Sequence, residues 1–170
     1  LIPALDSAGK LFEQGKIFLP QLIQTASVAQ AAFEVIKTTL IERNAAPVSR
    51  GEIVLATVKG DIHDIGKNIV RVLLENYGYT VLDLGRDVPC QLVADTAKEH
   101  GVKLVGLSAL MTTTLGAMEE TIQLVKASCP DCKIVVGGAV LTADYAEKIG
   151  ADYYAKDAME TVAVAKEVVG

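Results

Sequence analysis

Residues 51–68 read GEIVLATVKGDIHDIGKN, in which a short apolar run rich in β-branched side chains leads into a polar loop that contains two glycines. The run predicts a buried strand over Ile53–Val58, and the residues after the loop predict a helix. Similar short runs alternate with helix-length segments to the end of the chain. This alternation is typical of a parallel sheet that is covered by helices on both faces.

The economical prediction is an α/β fold with a flavodoxin-like, doubly wound, five-stranded parallel sheet. The further strands are predicted at Thr80–Leu84, Leu104–Ser108, Ile134–Val136 and Tyr153–Ala155. The helices are predicted at Asn68–Asn76, Pro89–His100, Leu115–Ala127, Ala143–Ile149 and Met159–Val169.

The segment before the sheet has a helical rhythm. Apolar residues recur at three- and four-residue spacing from Leu1 to Phe12, and a second apolar stripe runs from Leu22 to Leu40. Two helices alone cannot enclose a core, so we expect them to pack on the rest of the chain or, preferably, on further helices upstream. We divide the chain into a helical cap over residues 1–46, a partial helix bundle truncated at its N-terminus, and a Rossmann-like domain over residues 47–170.

Composition excludes several classes of protein. Of the 170 residues, 51% are hydrophobic and 22% charged, which disfavours a disordered chain. Asp and Glu number 21 against 16 Lys and Arg, so the chain lacks the basic character that a nucleic-acid partner requires. No apolar run approaches the roughly 18 residues of a membrane span, and no signal peptide is evident. We expect a cytoplasmic protein whose three cysteines are reduced.

The loop after the first strand carries the chemistry. In an open sheet, ligands bind beyond the carboxyl ends of the strands at the switch point in strand order. Asp61 lies two residues before His63, close enough to accept the proton of one ring nitrogen and leave the other free for a metal or a proton. A single loop histidine is usually only a surface residue, and the loop is neither a dinucleotide fingerprint nor a Walker loop.

Other kinds of site fit this edge less well. A receiver-type cation site built on Asp61 and Asp64 would need an aspartate where Ser108 stands, although Lys156 lies where such a module keeps a lysine. A flavodoxin would need a hydroxyl-rich phosphate loop, whereas this loop is acidic. Cys129 and Cys132 have a redox or metal spacing, but they lie away from the ligand edge. We expect them to be surface thiols.

Three motifs together resemble the cobalamin-binding signature in residue type, order and spacing. They are Asp61-x-His63-x-x-Gly66, Ser108-x-Leu110 and Gly137-Gly138. The stretch LFEQGKIFLP at residues 11–20 resembles the helical cap segment of corrinoid methyltransfer proteins. Over essentially its whole length, the chain most resembles the cobalamin-binding region of cobalamin-dependent methionine synthase.

The resemblance implies a role for each matched residue. His63 would be the lower axial ligand of cobalt, replacing the dimethylbenzimidazole of the cofactor, while Asp61 orients its imidazole. Thr114 stands where the family has a serine and would continue the proton relay. The further cofactor contacts implied are Gly60, Ile62, Asp64, Gly66, Ser108, Leu110, Thr112, Gly137, Gly138 and Ala158, with Phe12 and Leu19 capping the methyl face.

The function implied is methyl carriage. As a module of methionine synthase, a cobalamin-dependent methyltransferase, the fragment would pass a methyl group from methyltetrahydrofolate to homocysteine through cob(I)alamin and methylcob(III)alamin, without activity by itself. Its partners would be the methyltetrahydrofolate and homocysteine modules and a reductive-activation domain or protein, with a zinc ion only on another module. Three alternatives stay open: a stand-alone corrinoid protein of a methanol or methylamine methyltransferase system, a cobalamin-sensing regulator, and a mutase domain that the cap segment disfavours.

Overall fold

The computed structural model describes residues 2–42 and 49–170. Leu1 and the boundary expected between residues 46 and 47 lie outside the described residues. The elements are α1 (Ile2–Glu13), α2 (Leu19–Glu42), β1 (Glu52–Thr57), α3 (Ile65–Asn76), β2 (Thr80–Asp83), α4 (Cys90–His100), β3 (Leu104–Ser108), α5 (Leu115–Ser128), β4 (Lys133–Gly137), α6 (Ala143–Lys148), β5 (Tyr153–Tyr154) and α7 (Ala158–Val168).

The five strands form one all-parallel sheet in the order β2-β1-β3-β4-β5. This is the flavodoxin-like order, so the predicted fold class is confirmed. Thr57 pairs with Ser108, and Ser108 pairs with Gly137, at the carboxyl ends of three neighbouring strands. The loops that carry the three motifs therefore leave the sheet side by side.

Two apolar cores lie on opposite faces of the sheet. Val54 and Ala56 of β1 belong to the core that includes α4 and α5, while Ile53 and Leu55 belong to the core that includes α3 and α7. Because both faces are covered, β1 reads as an uninterrupted apolar run. Helices α1 and α2 add buried residues such as Leu22 to the second core. The helical pair thus packs on the rest of the chain, in line with one of the two expectations.

Helix α3 begins three residues earlier than the sequence pattern indicates. The amide of Asn68 donates to the carbonyl oxygen of Asp64 at 2.8 Å, so the first turn includes Gly66 and Lys67. A short 3-10 turn over Thr112–Thr114, which the sequence pattern did not predict, precedes α5. Gly66 of the first motif therefore lies in the first turn of α3, and Thr112 and Thr114 lie in the 3-10 turn before α5.

The expectation of surface thiols is wrong for Cys132. Its side chain lies in the first core and the residue is only 4% exposed, while Cys129 is half-buried. Burial, with smaller contributions from Cys129 and Asp152, raises the pKa of the Cys132 thiol to about 12. Spacing along the chain gave no sign of this, because the burial of Cys132 depends on packing in the first core. Among the described residues, we find no helix with the length and apolar character needed to span a membrane.

Candidate functional site

A cavity of about 750 Å³ opens at the carboxyl edge of the sheet. Its volume lies within the usual range for small-molecule sites. The loops after β1, β3, β4 and β5 form its walls, and α1 and α2 contribute side chains to it. Eleven of the residues singled out from the sequence line it: Phe12, Leu19, Ile62, His63, Asp64, Gly66, Ser108, Leu110, Gly137, Gly138 and Ala158.

Asp61 lies fully buried behind the cavity wall. Its Oδ1 accepts hydrogen bonds from the backbone amide and the Nδ1 atom of His63, at 3.0 and 2.9 Å. Its Oδ2 accepts from the backbone amides of Leu110 and Met111, at 2.7 and 3.1 Å, and from the hydroxyl of Thr114 at 3.1 Å. Both carboxylate oxygens are therefore saturated with donors.

This set of donors decides the charge of Asp61. Burial by itself would raise the pKa of the carboxyl group, but the amides of His63, Leu110 and Met111 and the His63 imidazole outweigh burial and hold that pKa well below its usual range. Asp61 is thus a fixed negative charge at neutral pH. A fixed carboxylate favours a proton on Nδ1 of His63 and so leaves the lone pair on the other ring nitrogen.

His63 projects from the loop with 46% of its side chain exposed. Nδ1 is engaged by Asp61, and no protein partner for Nε2 is present in the part of the chain that the structure describes. A neutral imidazole of this tautomer presents a lone pair at Nε2. The cavity mouth therefore offers one nitrogen ligand whose orientation is set by a buried carboxylate.

Thr114 extends this chain of polar groups by one hydroxyl. The Oγ1 atom lies 3.1 Å from Oδ2 of Asp61 and 2.8 Å from the carbonyl oxygen of Met111, so a single proton serves two acceptors. The residue is buried at the end of the 3-10 turn. Thr114 thus keeps its hydroxyl in contact with Asp61.

Besides the buried Asp61 and Thr114, two of the residues singled out from the sequence do not line the cavity. Thr112 is exposed at the start of the 3-10 turn, and Gly60 lies in the turn after β1. The backbone amide of Gly60 instead donates a hydrogen bond to Oδ1 of Asp87 at 2.6 Å. Neither residue is therefore positioned as a wall of the cavity.

Sequence reasoning missed several cavity residues. Gly106 lies in the middle of β3, and a Cβ atom there would approach Leu55 to 2.5 Å. A glycine inside a strand signals such a close approach, and this signal was available. Met159, Tyr154 and Thr161 also line the cavity, but nothing in their local sequence marks them. Thr57, fully buried, contacts the hydroxyl of Ser108 at 2.9 Å and so orients it.

The donor set fits a metal that brings most of its own ligands. Among the described residues, no three His, Cys, Asp or Glu side chains cluster in a way that could hold a bare ion. A cobalt corrinoid needs only one protein nitrogen below the ring and room for its displaced nucleotide tail. His63 and the cavity beside Ser108 and Gly137 meet both needs.

The chain is similar to corrinoid proteins of known sequence. The family described as B12 binding domain matches residues 51–163, and a second family of the same description matches residues 1–37. Dimethylamine corrinoid protein 1 of Methanosarcina acetivorans is 44% identical over 171 aligned residues, which cover 99% of this chain and 80% of that protein.

Two solved structures agree with this similarity. A cobalamin-binding protein from Desulfitobacterium hafniense DCB-2 has a TM-score of 0.81 and 36% identity, covering 98% of this chain and 78% of its own. The methanol:cobalamin methyltransferase complex MtaBC from Methanosarcina barkeri contains a chain with a TM-score of 0.83 and 31% identity, covering 99% of this chain and 67% of its own.

These similarities overturn the prediction of methionine synthase. The similar proteins are a dimethylamine corrinoid protein, a cobalamin-binding protein and a chain of a methanol:cobalamin methyltransferase complex, and none of the three is a methionine synthase. The assignment to methionine synthase is therefore wrong, and with it the methyltetrahydrofolate and homocysteine modules and the place in methionine biosynthesis. The expectation of a zinc ion on another module depended on the assignment to methionine synthase and falls with it. The motifs indicate a corrinoid, which both kinds of protein hold, and say nothing about the methyl donor or acceptor.

Proposed function

The chain belongs to the B12-binding domain family, and we propose that it is the corrinoid carrier of a methylamine methyltransferase system, with His63 as the lower ligand of cobalt. The observation that carries the proposal is the His63 imidazole, held by the buried Asp61 carboxylate at 2.9 Å on the rim of the cavity. The corrinoid supplies the cobalt that carries the methyl group. The protein's own residues provide the ligand, the tail cavity and the cap.

His63 and Asp61 act as one unit in this proposal. The carboxylate fixes the Nδ1 proton and thereby presents the Nε2 lone pair to the metal. Thr114 keeps its hydroxyl 3.1 Å from the carboxylate and would stabilise the negative charge of Asp61 by this hydrogen bond.

The cavity would receive the displaced nucleotide tail. Ser108, whose hydroxyl is oriented by Thr57, and Gly137 stand at the carboxyl ends of adjacent strands and line the cavity. Helices α1 and α2, within the cap of residues 1–46, place Phe12 and Leu19 on the same cavity. These two side chains would shield the methyl face from water until a partner protein displaces the cap.

Methylamine is favoured over methanol as the class of methyl donor because the more similar relative, at 44% identity, is a dimethylamine corrinoid protein. The protein partner would be the matching methyltransferase, and a reductive-activation protein would be the second partner. Mixing the corrinoid-loaded protein with a dimethylamine methyltransferase or with the methanol methyltransferase of MtaBC, each with its substrate, distinguishes the two donors. Methylation is read from the visible spectrum of the bound corrinoid. Failure with both would contradict the carrier role in these systems.

Ligation by His63 is tested separately. The protein is labelled with ¹⁵N-histidine, loaded with hydroxocobalamin and reduced to the cob(II)alamin form for EPR. We expect superhyperfine coupling to one nitrogen whose splitting changes with the label, and loss of that change in His63→Gly. The chain has only two histidines, so His100→Asn is the matched control and should keep the labelled splitting. A label effect that survives in His63→Gly would show that His63 is not the ligand.

A further inference from the structure

Asp87, in the loop between β2 and α4, has an unusual backbone conformation. Its φ angle is +53°, and it is the one non-glycine with a positive φ among residues 2–42 and 49–170. L-residues avoid this left-handed region, and Asp and Asn tolerate it better than most. Such a conformation persists where the surrounding contacts over-determine it, and these sites concentrate near functional groups.

The contacts of Asp87 lead directly to the histidine loop. Oδ1 of Asp87 accepts a hydrogen bond from the backbone amide of Gly60 at 2.6 Å. The backbone amide of Asp87 donates a hydrogen bond to the carbonyl oxygen of Asp61 at 2.9 Å. One residue thus holds two successive residues of the loop, from its side chain and from its main chain. Both contacts are made by a residue with left-handed backbone.

The neighbouring backbone strengthens this attachment. The amide of Thr57 donates to Gly85 at 3.0 Å, that of Val88 donates to Thr57 at 3.1 Å, and Val58 forms an isolated parallel bridge with Val88. The β2–α4 loop therefore continues the pairing of β1 beyond the end of the strand. Asp87 stands at the end of this extension, where it meets the main chain of Asp61.

We infer that Asp87 is a positioning residue that fixes the Asp61–His63 pair for ligation of the metal. The inference rests on the proposed function, since it concerns His63 as the ligand. Asp61 is oriented on its carboxylate side by Leu110, Met111 and Thr114, and on its main-chain side by Asp87. Without the Asp87 carboxylate the backbone amide of Gly60 loses its acceptor, and the direction of the His63 ring becomes less defined.

The test compares three variants. Asp87→Gly adopts the left-handed backbone without cost but lacks the acceptor for Gly60. Asp87→Asn keeps an acceptor oxygen and also tolerates this backbone. Asp152→Ala is the control, because Asp152 accepts a backbone amide, from Ile134 at 2.9 Å, at the opposite end of the sheet.

The first measurement uses the cofactor-free protein labelled with ¹⁵N-histidine, at a pH where imidazole is neutral. Long-range ¹H–¹⁵N correlations report the tautomer of His63, and His100, whose Nδ1 lies 3.0 Å from Glu52, is the internal reference. We expect a single Nδ1–H tautomer for His63 in the wild type, in Asp87→Asn and in Asp152→Ala, and averaging of both tautomers in Asp87→Gly. His100 should be unchanged throughout.

The second measurement is EPR of the same proteins loaded with cob(II)alamin. We expect the ratio of histidine-bound to histidine-free cobalt to fall about tenfold in Asp87→Gly, the lower end of the effect of losing a group that orients a metal ligand. Asp87→Asn should restore the ratio. If Asp87 had only a structural role, the melting temperature of Asp87→Gly would fall, as in Asp152→Ala, and the EPR ratio would stay at the wild-type value.

The two measurements separate the inference from the proposed function. Wild-type tautomer and wild-type EPR ratio in Asp87→Gly would overturn the inference, even if that variant melts earlier. Tautomer averaging in Asp87→Gly, in a protein whose wild type shows no imidazole coupling in EPR, would support the positioning of His63 by Asp87 and would overturn the ligand role of His63.

Discussion

The backbone of Gly138 packs directly on the carbonyl group of Ala109. A Cβ atom added to Gly138 would lie 1.9 Å from that carbonyl oxygen, and the φ angle of Gly138 is +139°. The amide of Ala109 also donates to Gly137 at 3.2 Å, so the loops after β3 and β4 are locked together. The fold itself therefore requires glycine at position 138, independently of any ligand.

Gly66 differs from Gly138, and the difference predicts opposite phenotypes. A Cβ atom at Gly66 would meet no atom within 4 Å, and the residue lies in the first turn of α3 on the cavity wall. We expect Gly138→Ala to lower the free energy of unfolding by more than about 3 kcal/mol, because backbone clash and left-handed strain combine. Gly66→Ala should keep full stability but weaken corrinoid binding. Urea unfolding and a cobalamin titration measure the two effects, and equal loss of stability in both variants would contradict the distinction.

Asp61→Asn should change how stability depends on pH. Hydrogen-bond donors hold the pKa of Asp61 in the folded protein well below the ordinary value of 3.8. The ionised Asp61 side chain therefore contributes its full share to the free energy of unfolding above pH 3.8, and this contribution is lost as the pH falls through the folded-state pKa. The variant should be less stable than the wild type at neutral pH by about 2–3 kcal/mol, since it loses charge-assisted hydrogen bonds.

The two unfolding curves should converge in acid. Urea unfolding at a series of pH values from neutral to strongly acidic measures the difference. A constant difference between wild type and Asp61→Asn over that whole range would show that the Asp61 charge is not the stabilising element.

Phe12→Ala should open the cap. Phe12 is half-buried and lines the cavity, so we expect the variant to photolyse bound methylcobalamin faster, because a shielded radical pair recombines more often. Cofactor affinity should change little, since the groups on the opposite side of the ring remain. Phe18→Ala is the matched control: Phe18 is 70% exposed and does not line the cavity. Equal photolysis rates in the two variants under the same light would show that Phe12 only packs.

Cys129 and Cys132 should differ in reactivity. Burial raises the pKa of Cys132 to about 12, so almost no thiolate is present at neutral pH. We expect iodoacetamide to modify Cys129 at least about tenfold faster than Cys132 in the folded protein, and both at similar rates in urea. Peptide mass spectrometry follows each site. Equal rates in the folded state would mean that Cys132 is accessible.

The sequence by itself determined the fold class and the pair at the centre of the site. Strand and helix patterns are local, so the alternation after residue 51 was enough to predict a parallel sheet, and parallel strands bring their carboxyl-end loops to one edge. Asp61 and His63 lie two residues apart, and a contact over that distance follows from the loop alone. The same motifs could not distinguish methionine synthase from a stand-alone corrinoid protein, because they concern the cofactor that both contain.

Only the tertiary structure decided what surrounds that pair. Leu110 and Met111 reach Asp61 from about fifty positions further along the chain, and Asp87 reaches Gly60 across 27 positions. The burial of Cys132 and the contact of Gly138 with Ala109 also depend on how separate loops meet. Hydrogen bonds and packing of this kind join residues that no local pattern relates, so they appear only once the sheet has set its strands in order.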